Sequence, residues 1–81
     1  MPATEFAVDV LRDADTAVLL LAGDISGGAE MPMLDAFHTT GETGVVILDF
    51  ADVEYINSTG IALIVGLLAE ARKQGRQVQA R

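Results

Sequence analysis

Two short apolar runs, separated by a helix-length segment, restrict the fold of this chain more than any other feature of its sequence. Residues 16–22 are almost continuously apolar, and residues 45–50 are rich in β-branched side chains. Runs of this kind are typical of central strands covered on both faces, as in α/β proteins. A helix is predicted between them over about residues 29–39, with Pro32 in its first turn, where a missing N–H group costs little.

Three further elements complete the predicted order β-β-α-β-α-β. Residues 6–10 alternate between apolar and polar, which predicts a half-buried first strand that forms a hairpin with the second. A second helix is predicted over about residues 59–74, and a last strand restarts at Gln77. The last two strands flank a helix, so a right-handed parallel crossover joins them. We therefore expect an α/β fold, a mixed β-sheet with both helices packed on one face.

The connections between these elements are also predicted from residue type. The segment 23–28 contains three glycines and is predicted to break the second strand, whereas residues 51–59 are predicted to form a loop. On the first helix, Met31, Leu34 and either Phe37 or His38 are expected to share one face.

Length, charge and the counts of Cys and His exclude several classes of protein. With 81 residues and a mass of 8.5 kDa, residues 1–81 are predicted to form a single domain. The chain has 5 Lys and Arg against 12 Asp and Glu, a net charge of −7, which argues against nucleic acid as a ligand. It has no Cys and only 1 His, so disulfides, thiolate zinc sites and multi-His sites are excluded. We predict no metal and no cofactor.

The same sequence predicts a cytoplasmic protein without a membrane-spanning segment. Its longest apolar run, residues 61–69, is much shorter than the about 20 residues that a membrane span needs. Residues 1–10 contain two acidic residues and no basic one, which is unlike a secretory signal.

Other polar residues are assigned ordinary roles. Asp49, Asp52 and Glu54 lack a recognisable spacing of cation ligands and are interpreted as a solvated acidic loop. His38 is interpreted as a surface or helix-capping residue. No base is positioned for a hydroxyl nucleophile and no cofactor loop is present, so we predict that the chain is not an enzyme.

One polar motif lies between the 45–50 strand and the second helix. Asn57, Ser58, Thr59 and Gly60 follow one another there. In one interpretation the motif only caps the helix, because Asn, Ser and Thr side chains accept hydrogen bonds from free N–H groups. In the other it displays two hydroxyls at the positive end of a helix, which tolerates a phosphate and suits a phosphorylation site. The residues alone leave both interpretations open.

Several segments together resemble the STAS domain, in particular the bacterial anti-sigma factor antagonists. The resemblance extends from Phe6 to Arg81 and is strongest where a Ser-Thr-Gly element follows an aspartate-bearing strand. The segments that carry it are Gly23-Asp24-Ile25, the residues 49–56, Asn57-Ser58-Thr59-Gly60-Ile61 and the turn Arg72-Lys73-Gln74-Gly75.

The resemblance implies roles for five residues. Ser58 takes the place of the phosphorylated serine, Thr59 that of the neighbouring hydroxyl residue and Gly60 that of the turn glycine. Asn57 stands where the family has aspartate. Asparagine can still cap a helix, but it lacks the negative charge of aspartate. Asp24 stands where the family often has glutamate. All five are expected to contribute to partner binding.

The function implied is that of an anti-sigma factor antagonist, which binds an anti-sigma factor that is also a serine kinase. Phosphorylation of Ser58 would switch the complex off, and a phosphoserine phosphatase would restore it. The alternative is a STAS subunit that is not switched, either a stressosome-like scaffold or an accessory subunit of a lipid ABC transporter. Family members continue beyond the position of Arg81, so we expect this unit to be incomplete at its C-terminus. The surface left open there would favour a homodimer.

Overall fold

The computed structural model describes residues 4–81 of the chain. A single 3₁₀ turn, Gly27–Ala29, precedes the first α-helix. The order of the elements is the predicted β-β-α-β-α-β. Their bounds are β1 Ala7–Asp13, β2 Thr16–Ile25, α1 Glu30–Thr39, β3 Val45–Ile56, α2 Ser58–Lys73 and β4 Gln77–Ala80.

The four strands form one mixed sheet in the order β1-β2-β3-β4. The hairpin of β1 and β2 is antiparallel, as predicted, whereas β2 with β3 and β3 with β4 are parallel pairs. Each parallel pair is joined by a helix, because a crossover must return the chain to the starting end of the sheet. The predicted central position of β2 and β3 is therefore confirmed.

One face of the sheet and both helices form the hydrophobic core. Alternate residues of β2 point to this face, and Leu19 and Ile25 among them are fully buried. The helices contribute to the same cluster from the other side. The buried residues of the cluster are Leu19, Leu21, Ile25, Ala29, Met33, Ala36, Phe37, Val46, Leu48, Leu67 and Ala71.

The expectation that the apolar strands are covered on both faces is wrong. Val18 and Ile47 lie side by side on the second face, next to Leu11 of β1, and are only half-buried. Leu11 itself is 55% exposed. The apolar character of these positions reflects contact between neighbouring strands on that face, not a covering layer of helices.

Both central strands are longer than predicted. β2 continues through Gly23 and Asp24 to Ile25, and β3 continues beyond Phe50 to Ile56. The strands stay paired because two register shifts absorb the irregular backbone, one of them beside Gly23, which has a φ of 81°. The prediction of a loop over residues 51–59 is therefore wrong for residues 51–56, where Asp52 and Glu54 lie on an exposed part of the strand.

The face of α1 predicted from Met31 and Leu34 is not the face that packs on the core. Phe37 is buried, but Met31 is 64% exposed and Leu34 is 38% exposed. The core side is formed instead by Met33, Ala36 and Phe37. These three positions have the i, i+3, i+4 spacing of one helix face.

A buried guanidinium ties the far ends of the two helices together. Arg76 is only 8% exposed and lies beyond the end of α2, after Gln74 and Gly75. Its Nε donates to the carbonyl oxygen of Thr43 at 2.6 Å, and its Nη2 donates to the hydroxyls of Thr40 at 2.7 Å and Thr43 at 2.9 Å. Its Nη1 donates to Gln74 Oε1 at 3.1 Å, and its guanidinium carbon lies 5.2 Å from the centre of the Phe37 ring.

Asp49 of β3 is expected to titrate below the ordinary aspartate pKa of 3.8. The Ala51 N–H donates to its Oδ1 at 2.9 Å and the Arg81 Nε to its Oδ2 at 3.0 Å, and both lower the pKa by favouring the carboxylate. The resulting stabilisation is present above pH 3.8 and is lost as the pH falls through the lower folded-state pKa. An NMR titration of the Asp49 carboxyl should show this, and Arg81→Gln should raise the midpoint without restoring the ordinary value. A wild-type midpoint at or above 3.8 would contradict the assignment.

Candidate functional site

The polar motif lies where the two central strands end. β2 and β3 are parallel, and their last residues, Ile25 and Ile56, are paired. The N–H of Asn57 donates to the carbonyl oxygen of Ile25 at 3.3 Å, and α2 begins at the next residue, Ser58. The motif thus occupies the carboxyl edge of the sheet, which is where ligands of open α/β sheets commonly bind.

Asn57 caps α2, so the capping interpretation of the motif is correct. Its backbone is extended, and its Oδ1 accepts a hydrogen bond from the N–H of Gly60 at 2.8 Å. Its carbonyl oxygen accepts the N–H of Ile61 at 2.9 Å, which is the first bond of the helix. Because one side chain does the capping, the two hydroxyls that follow are not needed for it.

Ser58 and Thr59 are both exposed, at the first two positions of α2. Within residues 4–81, neither hydroxyl donates or accepts a hydrogen bond. The first turn of the helix contains no acidic residue, so its partial positive charge is not neutralised locally. An exposed hydroxyl at this position can receive a phosphoryl group, and the helix end favours the charge of the product.

Gly60 differs from the rest of the motif because it is buried. A Cβ atom at this position would collide with the carbonyl oxygen of Ile25 and would lie 2.9 Å from Cγ1 of Ile56. The first turn of α2 therefore touches the end of β2 backbone to backbone. This contact sets the position of Ser58 relative to the sheet, and it means that Gly60 offers no surface of its own.

Asp24 lies at the same edge, where it pairs with Tyr55 of β3. Its side chain is engaged by the chain's own N-terminal segment, because the N–H of Thr4 donates to Oδ2 at 3.2 Å. The N–H of Asp24 also donates to the carbonyl oxygen of Thr4 at 3.1 Å. A Cβ at Gly23 would collide with the carbonyl oxygen of Glu5, so the glycine permits this crossing. Asp24 is thus brought near the motif but is half-buried.

Two features of the edge were missed by the sequence analysis. Tyr55 is 57% exposed and lies two residues before Asn57. The turn at Gly27 packs beside the motif, since a Cβ there would lie 4.0 Å from Cγ2 of Thr59. The sequence contained a signal for Tyr55, because an aromatic residue stands there shortly before a capped helix.

The remaining polar residues are distributed rather than clustered. Asp49, Asp52 and Glu54 belong to β3 and not to a loop, and His38 is exposed near the end of α1. Among residues 4–81, no three His, Cys, Asp or Glu side chains are arranged to hold a metal ion. No helix in the same range is both long and apolar enough to cross a membrane.

Comparison with known proteins identifies the class to which this fold and edge belong. The sequence matches the STAS domain family over residues 7–79. The chain therefore belongs to the STAS domain family, and the resemblance noted from its motifs is confirmed. No curated protein sequence matches it.

Two kinds of solved structure are similar to this chain. A part of Mglu is 28% identical, with a TM-score of 0.83 over 90% of this chain, but the match spans only 19% of the Mglu chain. An anti-sigma factor antagonist STAS domain from Rhodobacter sphaeroides is 14% identical, with a TM-score of 0.79 over 93% of this chain and 84% of its own. The anti-sigma factor antagonist SpoIIAA in its unphosphorylated form is 19% identical, with a TM-score of 0.71 over 94% of this chain and 71% of its own. At these identities the two antagonists share the fold of this chain.

Proposed function

We propose that this chain is a cytoplasmic anti-sigma factor antagonist that acts by binding and is not an enzyme. Its partner is an anti-sigma factor with serine kinase activity. The observation that carries the proposal is the exposed Ser58 hydroxyl, held at the first position of a helix that Asn57 caps. The shared fold with antagonists such as SpoIIAA, also known in a phosphorylated form, supports it.

Phosphorylation of Ser58 is the proposed off switch. The kinase supplies ATP and Mg²⁺. A bond forms between Ser58 Oγ and the γ-phosphorus of ATP, while the bond from that phosphorus to the bridging oxygen breaks and ADP leaves. A base of the kinase takes the hydroxyl proton. The phosphate adds about −1.5 to −2 charges at the centre of the contact surface. A loss of about 2.8 kcal/mol would weaken binding about a hundredfold. A phosphoserine phosphatase reverses the switch by hydrolysis.

The proposed contact surface consists of the exposed residues around Ser58. Thr59 is exposed next to it, Tyr55 is exposed at the end of β3, and Asn57 is half-buried. Asp24 contributes at the margin, because its carboxylate is shared with the Thr4 N–H group. The contribution of Gly60 is indirect, through the close contact that positions the helix.

Ser58→Ala is expected to abolish phosphorylation while leaving partner binding nearly unchanged, since a small exposed hydroxyl is lost. Thr59→Ala should retain phosphorylation and serves as the matched control, and Ser58→Asp should weaken binding less than phosphate does. Asn57→Asp should raise the rate of Ser58 phosphorylation, because it supplies the carboxylate that the family has at this position. The assay is phosphate incorporation with the cognate kinase and ATP, followed by mass spectrometry. Incorporation that persists in Ser58→Ala would refute the assignment.

A second candidate function is a STAS module that is not switched, either a stressosome-like scaffold or an accessory subunit of a lipid ABC transporter. It is favoured by Asn57, which lacks the charge of the family aspartate, and by the 28% identity to a part of the longer Mglu chain. The chain spans about a fifth of the Mglu chain, 19%. Absence of modification in the wild type, with a transporter gene rather than a kinase gene adjacent, would favour this alternative.

Self-association is a further part of the proposal. Ile61 and Val65 lie one helical turn apart on α2 and are 52% and 57% exposed. Exposed apolar side chains so close together favour association, so we propose that the homodimer forms through this side of α2 rather than through the C-terminal surface expected from the sequence. Light scattering should show a dimer that Ile61→Lys dissociates. A wild-type monomer at high concentration would contradict this.

A further inference from the structure

A groove runs between α1 and α2 on a side of α2 different from that of Ile61 and Val65. Its volume is about 490 Å³. Phe37 and Leu67 are buried at its base, whereas Ala62 and Gly66 on α2 are exposed along it. Leu34 of α1 also lines it and is 38% exposed. The groove thus presents an apolar surface that the chain's own described residues do not cover.

Gly66 has no structural reason to be glycine. It lies in the interior of α2, where glycine costs about 0.5–1 kcal/mol relative to alanine. Its φ is not positive, and a Cβ atom there would meet nothing within 4 Å. Ala62 lies one turn earlier on the same face, so the side chains along this part of the groove are small over two turns. Small side chains let the backbone of a second helix come close, because the side chains at the contact set the distance between helix axes.

Two carboxylates, from opposite ends of the two helices, line this apolar groove, together with His38 near the end of α1. Glu30 is the first residue of α1 and Glu70 lies near the end of α2, and both line the groove and are exposed. Glu70 accepts a hydrogen bond from the neutral Gln74 amide at 3.2 Å. Across residues 4–81 the one ion pair joins Arg81 to Asp49, so neither glutamate has a cationic partner there. The groove therefore complements a ligand with positive charge at both ends.

We infer that this groove binds an amphipathic α-helix of another protein, with apolar residues on one face and Lys or Arg at each end of that face. α2 offers about three turns between Ala62 and Gln74, about 18 Å, which matches anchors at i, i+3 or i+4, and i+7. A second copy of this chain fits poorly, because its net charge is −7 and the groove ends are acidic. Ser58 and Thr59 do not line the groove, so this site is separate from the proposed switch.

The test uses the 81-residue chain and a synthetic helical peptide of about 18 residues, with Leu on one face and Lys at both ends of that face. A second peptide has Glu in place of each Lys. Binding is followed by fluorescence anisotropy, and the site is located by amide chemical shifts. We expect saturable binding of the Lys peptide, with shifts along α1 and α2, and at least about tenfold weaker binding of the Glu peptide.

Two variants decide whether the groove is the site. Gly66→Leu fills it and should weaken peptide binding at least about tenfold, whereas Ala69→Leu adds the same side chain to an exposed position outside the groove and should not. Glu30→Gln combined with Glu70→Gln should weaken binding about fivefold, and less at high salt. Thermal unfolding checks that each variant is folded. The inference is overturned if the Lys peptide does not bind, if Gly66→Leu binds it as wild type does, or if the groove mediates self-association.

Discussion

Gly60→Ala is expected to destabilise the fold by about 3 kcal/mol, the upper end of the usual cost of overpacking. The added Cβ would overlap the carbonyl oxygen of Ile25 and would lie 2.8 Å from its carbonyl carbon. These are backbone atoms of a central strand, so they cannot move aside as the end of a flexible side chain would. Relief requires α2 to move away from β2, which opens the core beside Ile25, a fully buried residue.

A matched control lies on the same helix. Gly66→Ala makes the same chemical change at a position where the Cβ meets nothing, and it should stabilise the protein by about 0.5–1 kcal/mol. Urea unfolding should therefore move the midpoint in opposite directions for the two variants, with similar m-values. A midpoint for Gly60→Ala within error of the wild type would show that α2 and β2 are not in backbone contact.

The Gly60 contact also bears on the proposed switch. Asn57 Oδ1 bonds the N–H of Gly60, so a displaced first turn would lose its cap as well as its position on the sheet. We therefore expect Gly60→Ala to slow phosphorylation of Ser58 even under conditions where the variant remains folded. Gly66→Ala should be phosphorylated at the wild-type rate. The added Cβ meets no other atom, and position 66 lies eight residues after Ser58.

Arg76→Met is expected to cost about 3 kcal/mol, because it leaves buried hydrogen-bonding groups without partners. Thr40 is 0% exposed and Thr43 is 4% exposed, and the hydroxyls of both accept from the Arg76 guanidinium. The Thr43 carbonyl oxygen loses its donor as well. Methionine keeps much of the side-chain volume, so the cost reports the polar contacts rather than a large cavity.

Two further variants separate charge from geometry at this position. Arg76→Lys keeps the charge but not the planar set of donors, so it should recover less than half of the loss. Arg72→Met removes an exposed arginine from the last turn of α2 and should change stability by less than about 0.5 kcal/mol. The measurement is equilibrium unfolding in urea. Equal stability of Arg76→Met and Arg72→Met would mean that the buried network contributes nothing.

Much of the architecture was predictable from sequence because it depends on local pattern. Near-continuous apolar runs identified β2 and β3 as central strands, and the capping residue types located the start of α2 to within one residue of Ser58. The phosphoacceptor assignment of Ser58 rests on the family resemblance, and its exposure is consistent with it. A hydroxyl next to a helix cap is a short-range feature, so the sequence shows it directly.

The lengths of the strands and the roles of several polar residues depended on partners far away in the chain. Asp52 and Glu54 interrupt the apolar run after Phe50, yet residues 51–56 remain in β3 because the backbone of β2 pairs with them. Asp24 is predicted to contribute to partner binding, and only the fold shows that its carboxylate accepts a hydrogen bond from the N–H of Thr4, 20 residues away in sequence. In the sequence Arg76 is one of four basic residues after residue 71, and only its packing against Thr40 and Thr43 distinguishes it from exposed Arg72.

By itself, the sequence determined the order of the elements, the central strands and the capped motif that carries Ser58, because hydrophobic periodicity and capping act over a few residues. The tertiary structure decided which glycines are essential. Gly60 and Gly66 are alike in sequence, both within α2, but one contacts the Ile25 backbone and the other faces an open groove. That difference arises from the distance between two backbones that are remote in sequence, which no local pattern encodes.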